Sequence, residues 1–213
     1  MGVPSTFVRA SGCNLRCVWC DTPYASWDPE GPELTVEAIA RKVDEFGAHH
    51  VVITGGEPLI MPDIEQLCDA IKSTGHHITI ETAATVFKPL KLDLASLSPK
   101  LANSTPHDRE DGRFAIPHER KRLNFDTIQK FIDTSPSVQL KFVVAQPGDL
   151  DEIESILARL RGCQRDDVLL MPEGIDTTTL DSRAAWIAEL CLKTGYRFCP
   201  RLHVALYGNT RGT

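Results

Sequence analysis

At 213 residues, with 42% hydrophobic and 24% charged side chains, the chain has the length and composition of one domain with a full core. A formal charge of −6 and the lack of an uninterrupted basic run exclude a nucleic-acid footprint; His118-Glu-Arg-Lys-Arg122, the most basic stretch, carries a carboxylate and reads as a solvated loop or helix face. Apolar runs such as Val51-Val-Ile53 are strand-sized, too short for a membrane span, and the start lacks the regions of a signal peptide, so a cytoplasmic location is expected.

Alternation over 3–9 predicts a first strand, which delivers a loop carrying Cys13, Cys17 and Cys20. Pro23, Pro29 and Pro32 keep that loop from continuing as a long helix. Thr35 caps a helix to Phe46, Gly47 stops it, and 50–54 is a buried-type strand ending in Gly55-Gly-Glu-Pro58. Asp63 caps a second helix to about Thr74, and 77–81 is the next strand. A short strand at 92–98 runs into Ser98-Pro-Lys100, and 101–124 reads as a long polar loop. A helix starting at Asn124 or Asp126, a strand at 138–145, a helix at 150–161, a strand at 168–171 and a helix at 179–194 follow. The stretch 196–206 is strand-like but interrupted by Pro200. Such alternation predicts an α/β fold with a parallel sheet and right-handed crossovers. About six strands fit the length, too few for a closed eight-fold barrel, so a partial, open β/α barrel in a single domain (1–213) is expected, with its chemistry at the C-terminal strand ends.

The spacing C-x3-C-x2-C at Cys13, Cys17 and Cys20 groups three soft, anionic ligands in one short loop. Tetrahedral zinc normally takes four ligands, and no His or Cys follows at a usual zinc distance. A four-iron cluster would have three irons held by these thiolates and one left open for chemistry. A structural zinc loop is the alternative from a different class. Cys68, Cys163, Cys191 and Cys199 are scattered and read as small buried or half-buried residues. Gly55 and Gly56 permit close backbone approach to a ligand, and Glu57 can pair with an ammonium. Ser98 and Lys100 form a commonplace turn that can also bind, Glu81 at a strand end is a contact or a solvated carboxylate, and Arg9 offers a fork of donors to an anion. His49, His50, His76 and His77 precede strands and read as surface residues.

On these residues the chain resembles the radical S-adenosylmethionine (radical SAM) enzymes: the cysteine loop, with Trp19 before its last cysteine, resembles their cluster motif, and Gly55-Gly-Glu-Pro58 their methionine-binding segment. The finer resemblance is to the 7-carboxy-7-deazaguanine synthase family. It is carried by 7–22 (FVRASGCNLRCVWCDT), 53–58 (ITGGEP), 78–82 (ITIET), 98–100 (SPK), 139–144 (QLKFVV) and 202–212 (LHVALYGNTRG), nearly the whole chain. It implies a lyase that contracts the ring of 6-carboxy-5,6,7,8-tetrahydropterin to 7-carboxy-7-deazaguanine with loss of ammonia, in queuosine and deazapurine biosynthesis. The implied cofactors are a 4Fe-4S cluster on Cys13, Cys17 and Cys20, S-adenosylmethionine and Mg2+. The cosubstrate would meet Gly56, Glu57, Glu81, Ser98, Pro99 and Lys100. Arg9, Thr54, His203 and the terminal Thr213 would face the pterin, and the Thr22 hydroxyl would help hold magnesium. A homodimer and a flavodoxin-like electron donor are expected by the same resemblance. The alternative within the superfamily is a glycyl-radical activating enzyme, against which the 203–211 segment speaks. One departure stands out: the family usually begins with a further strand and a Gln-Gly-Glu-Gly turn, which do not precede Val3 here, so truncation and an exposed sheet edge are expected.

Overall fold

Strand and helix alternate as the apolar spacing predicts, and every strand runs parallel to its neighbours. The structure, a computed structural model, describes residues 2–212. Its sheet contains β1 (Ser5–Ala10), β2 (His50–Gly55), β3 (His77–Thr82), β4 (Leu94–Leu97), β5 (Val138–Val144), β6 (Val168–Pro172) and β7 (Arg197–Phe198). Their spatial order follows the sequence, the signature of successive right-handed crossovers in a curling sheet. Around it lie α1 (Val36–Phe46), α2 (Ile64–Ser73), α3 (Ala115–Lys121), α4 (Phe125–Thr134), α5 (Asp149–Leu157), α6 (Thr177–Thr194) and α7 (Leu202–Tyr207). None of the described helices is long and apolar enough to cross a membrane.

Local chemistry sets the helix ends. Thr35 Oγ1 accepts from Ala38 N at 3.2 Å, and Asn124 Oδ1 accepts from Thr127 N at 3.1 Å. These bonds satisfy donors that the first helical turn leaves free. Gly47 and Gly195 close α1 and α6 in the left-handed conformation.

The sheet has seven strands among the described residues, in keeping with the about six expected, but its last segment is not the long strand foreseen for 196–206. Only Arg197 and Phe198 pair with β6. Pro200 has no N–H to extend the ladder, and the chain turns into α7. The stretch 101–124 also departs from expectation: it holds short 3-10 turns at Ala102–Ser104 and Arg109–Gly112, then α3. That helix is anchored by polar contacts rather than an apolar stripe, which is why periodicity misses it. His118, expected on a solvated face, is 1% exposed.

In a parallel pair, residues in register share a face. One face of the sheet, with Val51, Ile53, Ile78, Ile80, Ala95, Leu97, Leu140, Phe142, Val168 and Leu170, is buried against apolar residues of the helices, among them Leu67, Ile128, Phe131, Ile153 and Ile187. Burying each such side chain contributes about 1.5–3 kcal/mol. The opposite face carries Arg9, Thr54, Glu81, Ser96, Gln139 and Lys141. Beyond the last strand, Arg201 pairs with Asp21 and Arg211 with Glu30, both in the loop after β1, so the two edges curl toward each other around this polar face. β1 forms one edge of the sheet, with Phe7 53% exposed. At the N-terminal ends of the strands, the His50 ring meets His49 edge-on and His77 at a tilt, and His76 pairs with Asp44. Of the four histidines expected at the surface, only His49 is exposed.

Candidate active site

The cysteine loop leaves β1 and is restrained from all sides. Leu15, 1% exposed, plugs its middle into the protein. Gly12 N donates to Ala25 O at 2.8 Å and Val18 N to Ser104 O at 2.8 Å. Arg16 N donates to His118 Nδ1 at 3.2 Å, Trp27 Nε1 to Cys17 O at 3.0 Å, and Trp19 Nε1 to Asn103 O at 2.9 Å. The three thiols stay free, as do the other four. Burial pushes the Cys17 thiol up to about 12 and raises that of Cys13; each also feels Lys100 and Cys20. Such thiols ionise only when a cation takes their charge. Among the described residues no group of three or more His, Cys, Asp or Glu side chains is gathered around one point, whereas tetrahedral zinc normally takes four ligands. Three soft, mutually close thiols in a rigid loop suit a multi-iron cluster, whose ligands stand further apart than those of one ion.

Gly55-Gly-Glu-Pro58, at the end of β2, packs directly on that loop. A Cβ on Gly56 would lie 1.9 Å from Gly12 O and 2.5 Å from Ala25 O. The close approach the glycines permit is therefore to the loop's own backbone, with Gly56 N donating to Ala10 O and Glu57 N to Gly12 O, both at 2.9 Å. Glu57 is fully buried and accepts from Thr82 Oγ1 (2.7 Å), Ala83 N (2.9 Å) and Leu59 N (3.2 Å). Burial raises its pKa against these donors. Three of a carboxylate's roughly four acceptor sites are thus used internally.

Across the polar face, Glu81 accepts from Thr54 Oγ1 at 2.9 Å and from Lys141 Nζ at 2.8 Å. The Lys141 ammonium holds Glu81 below the usual carboxylate range; burial opposes the charge on Lys141, but Glu81 raises its pKa. Lys141 reaches β3 from β5 because small Ser96 stands on the strand between. Ser98 and Pro99 are buried at the end of β4, and Lys100 Nζ donates to Ser98 Oγ (2.8 Å) and Ser98 O (2.9 Å). Lys100 makes no ion pair among the described residues, yet its charge acts on Cys13, Cys17, Asp21, Glu57 and Glu81. It is the central cation of the rim.

His203 lies on α7 in the field of Arg201, Asp21, Arg9 and Glu81; partial burial, then Arg201 and Arg9, lower its pKa. Arg9, exposed at the end of β1, has its guanidinium 5.4 Å from the centre of the Phe7 ring. Thr22 Oγ1 is 3.9 Å from Cys20 Sγ. The rim therefore brings together the cysteines, Arg9, Thr22, Thr54, Gly56, Glu57, Glu81, Ser98, Pro99, Lys100 and His203. Thr213 lies outside the described residues. Sequence reasoning missed Lys141, Asp21 and Arg201. Only Lys141 left a signal, the one charged residue in a largely apolar strand.

The family described as "Radical SAM superfamily" matches residues 7–160. The 7-carboxy-7-deazaguanine synthase of Rhodopirellula baltica is 45% identical over 212 residues, spanning 100% of this chain and 82% of the relative. That of Halobacterium salinarum is 44% identical, spanning 100% of this chain and 86% of the relative. Among solved structures, QueE from Escherichia coli aligns over 94% of this chain and 86% of its own with a TM-score of 0.66 at 23% identity, a likeness of fold. SuiB of Streptococcus suis bound to S-adenosylmethionine aligns over 95% of this chain and 52% of its own, with a TM-score of 0.61 at 15% identity. The chain belongs to the radical SAM superfamily and, within it, to the 7-carboxy-7-deazaguanine synthase family.

Proposed function

We propose that this chain converts 6-carboxy-5,6,7,8-tetrahydropterin to 7-carboxy-7-deazaguanine and ammonia. The observation that carries the reading is the convergence of three free thiols, a lysine with no ion pair among the described residues and a polar strand-end face on one rim. When bound, the cluster and S-adenosylmethionine supply a 5′-deoxyadenosyl radical, the hydrogen-abstracting agent. Cys13, Cys17 and Cys20 would hold the cluster. Lys100 has one of its three N–H donors free for the cosubstrate's carboxylate, and Glu57, fully buried behind the glycine turn, would hold that turn in place for the cosubstrate's amino end rather than touch it. Arg9 offers the pterin carboxylate a two-pronged contact. His203, its pKa held low, stays neutral near pH 7 and can accept a hydrogen bond from the ring. Glu81 and Lys141, fixed as an ion pair, keep Thr54 oriented at the strand end.

Thr22, beside Cys20, would give magnesium one oxygen ligand, and the ion would supply positive charge to orient the substrate. A flavodoxin-like donor is proposed for electrons: Arg16, Arg113 and Lys121 line a cavity that reaches Cys13, a basic approach on an otherwise acidic chain. A cytoplasmic location suits seven free thiols. The homodimer is carried over from the family resemblance.

The test is anaerobic reconstitution with iron and sulfide, followed by reduction with S-adenosylmethionine and the pterin. The expected product is 7-carboxy-7-deazaguanine, with the cosubstrate recovered intact. Cosubstrate cleavage with the pterin untouched would overturn the substrate assignment. Thr22→Ala is expected to weaken the magnesium dependence; an unchanged magnesium response removes Thr22 from that role.

A further inference from the structure

Ser26 lies outside the cysteine motif, and the reaction as described gives it no part. Its hydroxyl is nonetheless 3.0 Å from Cys20 Sγ, with the side chain 4% exposed. The position is built rather than incidental. Ser26 ends the 3-10 turn Pro23–Ala25, and its own N–H is spent on Pro23 O at 3.1 Å. On one side, Ala25 is tied to Gly12 and abuts the glycine turn after β2; on the other, Trp27 is tied to Cys17 O. The competing acceptor, Thr22 O, is further away at 3.4 Å.

A free thiol and a hydroxyl can each donate, so the pair is ambiguous in the bare protein. A cysteine bound to iron has lost its proton and can only accept. We propose that in the cluster-loaded protein Ser26 Oγ–H donates to the Cys20 sulfur and raises the cluster's reduction potential. Reduction adds negative charge that spreads onto the ligand sulfurs, and a hydrogen bond to an anionic acceptor strengthens as that charge grows. The reduced cluster is therefore stabilised more than the oxidised one, a recognised way of tuning iron–sulfur potentials. Cys13 receives only a longer contact, from Leu15 N at 3.4 Å, so the Cys20 corner is the best-solvated by protein donors among these contacts. Ser26 acts through Cys20; it is a tuning residue and touches no substrate in this role.

The inference rests on the cluster reading, and the experiment separates the two. The full chain is reconstituted anaerobically and the midpoint potential is followed by electron paramagnetic resonance, with iron content measured in parallel. A parent that holds no four-iron cluster overturns the cluster reading itself. With the parent loaded, Ser26→Ala is expected to hold the same iron and to reduce about tenfold less favourably, about 59 mV lower for one electron. Ser26→Thr, which keeps the hydroxyl, is expected to stay near the parental value. A fully loaded Ser26→Ala at the parental potential overturns the inference. Should that variant fail to fold or load, the parent and Ser26→Thr are compared in deuterium oxide by resonance Raman spectroscopy. An isotope shift of the iron–cysteine stretch in both supports the hydrogen bond, and its absence overturns it.

Discussion

The two faces of the sheet do different work, and neighbouring residues on one strand show it. Phe142 points to the helices, is fully buried and belongs to the apolar core. Lys141, one position earlier, points to the opposite face and pairs with Glu81. The helix side holds eleven apolar strand residues of the core, Val144 among them. The other side is crossed by ion pairs and hydroxyls whose partners come from different strands. Stability is concentrated on the first face and chemistry on the second. The sharpest way to break the comparison is to change the adjacent pair. Phe142→Ala is expected to cost about 3–5 kcal/mol in denaturant unfolding, because the cavity cannot fully collapse. Product formation per loaded enzyme should stay near the parental value at low temperature. Lys141→Met leaves Glu81 without its cation and is expected to cost about 2 kcal/mol, below the cost of breaking a wholly buried pair because the Glu81 side chain is 31% exposed. It should lower kcat/KM tenfold or more by freeing Glu81 from its place. Equal stability losses with equal activity losses would erase the division between the faces.

A second test concerns the polar support beneath the cluster loop. His118 Nδ1 accepts from Arg16 N, which places the ring proton on Nε2, where it donates to Ser104 Oγ at 2.9 Å. Burial holds its pKa down to about 4, from 6.5; Glu119 pulls the other way, while Arg122 and Lys100 add to the lowering. Between pH 6.5 and 4 the unfolded chain binds this proton and the folded one does not, so stability rises with pH across that window and is level above it. The contribution lost by pH 4 is at most about 3 kcal/mol. A urea series on parent and His118→Gln should show the parent's extra slope between pH 4 and 6.5, with the variant flatter. Identical slopes would mean that the buried ring does not titrate as this geometry requires.

Legibility from sequence followed the same division. The rim motifs could be read because their chemistry fixes residue types within a few positions: Cys13, Cys17 and Cys20 must be thiols, and Gly56 has no room for a Cβ. The strands of the apolar face were legible through hydrophobic runs. Residues that act by reaching across the fold left little trace. Arg201 meets Asp21 from the far end of the chain, and Ser26 reads as an ordinary turn residue until the loop folds back on Cys20. α3 was missed because its anchors are polar: His118 to Ser104, Glu119 to Thr105, and Arg122 to Glu119 and Glu152. Periodicity reports burial of apolar faces and is silent on a helix held this way. Pro200 gave fair warning that the last strand would be short.

The smallest expected effects come from the two ion pairs that draw the sheet's edges together, and their difference is informative. Arg201 is 4% exposed at its side chain and pairs with Asp21, itself one-third exposed. Burial alone would raise the Asp21 pKa, but the Arg201 guanidinium holds it below the usual carboxylate range. A carboxylate held low contributes stability that is present above its unfolded pKa near 4 and is lost as pH falls through the folded value. Arg201→Met leaves Asp21 without its main partner and is expected to cost about 2 kcal/mol at pH 7. The deficit against the parent should begin to shrink below about pH 4 and close as pH falls through the parent's lower folded value, where Asp21 becomes protonated in both. Arg211 and Glu30 make the other link at 2.7 Å, but each side chain is 56% exposed. Screening by water limits that pair to a few tenths of a kcal/mol, so Arg211→Met should barely move the unfolding midpoint. Arg211 also stacks 4.1 Å from the centre of the Tyr24 ring, beside Thr22 and the cysteine loop. Its loss should therefore appear as a raised KM for the pterin more than as lost stability. If Arg211→Met instead destabilised the fold as much as Arg201→Met, the tail would be part of the sheet's closure, and the polar face would not be separable from what holds the protein together.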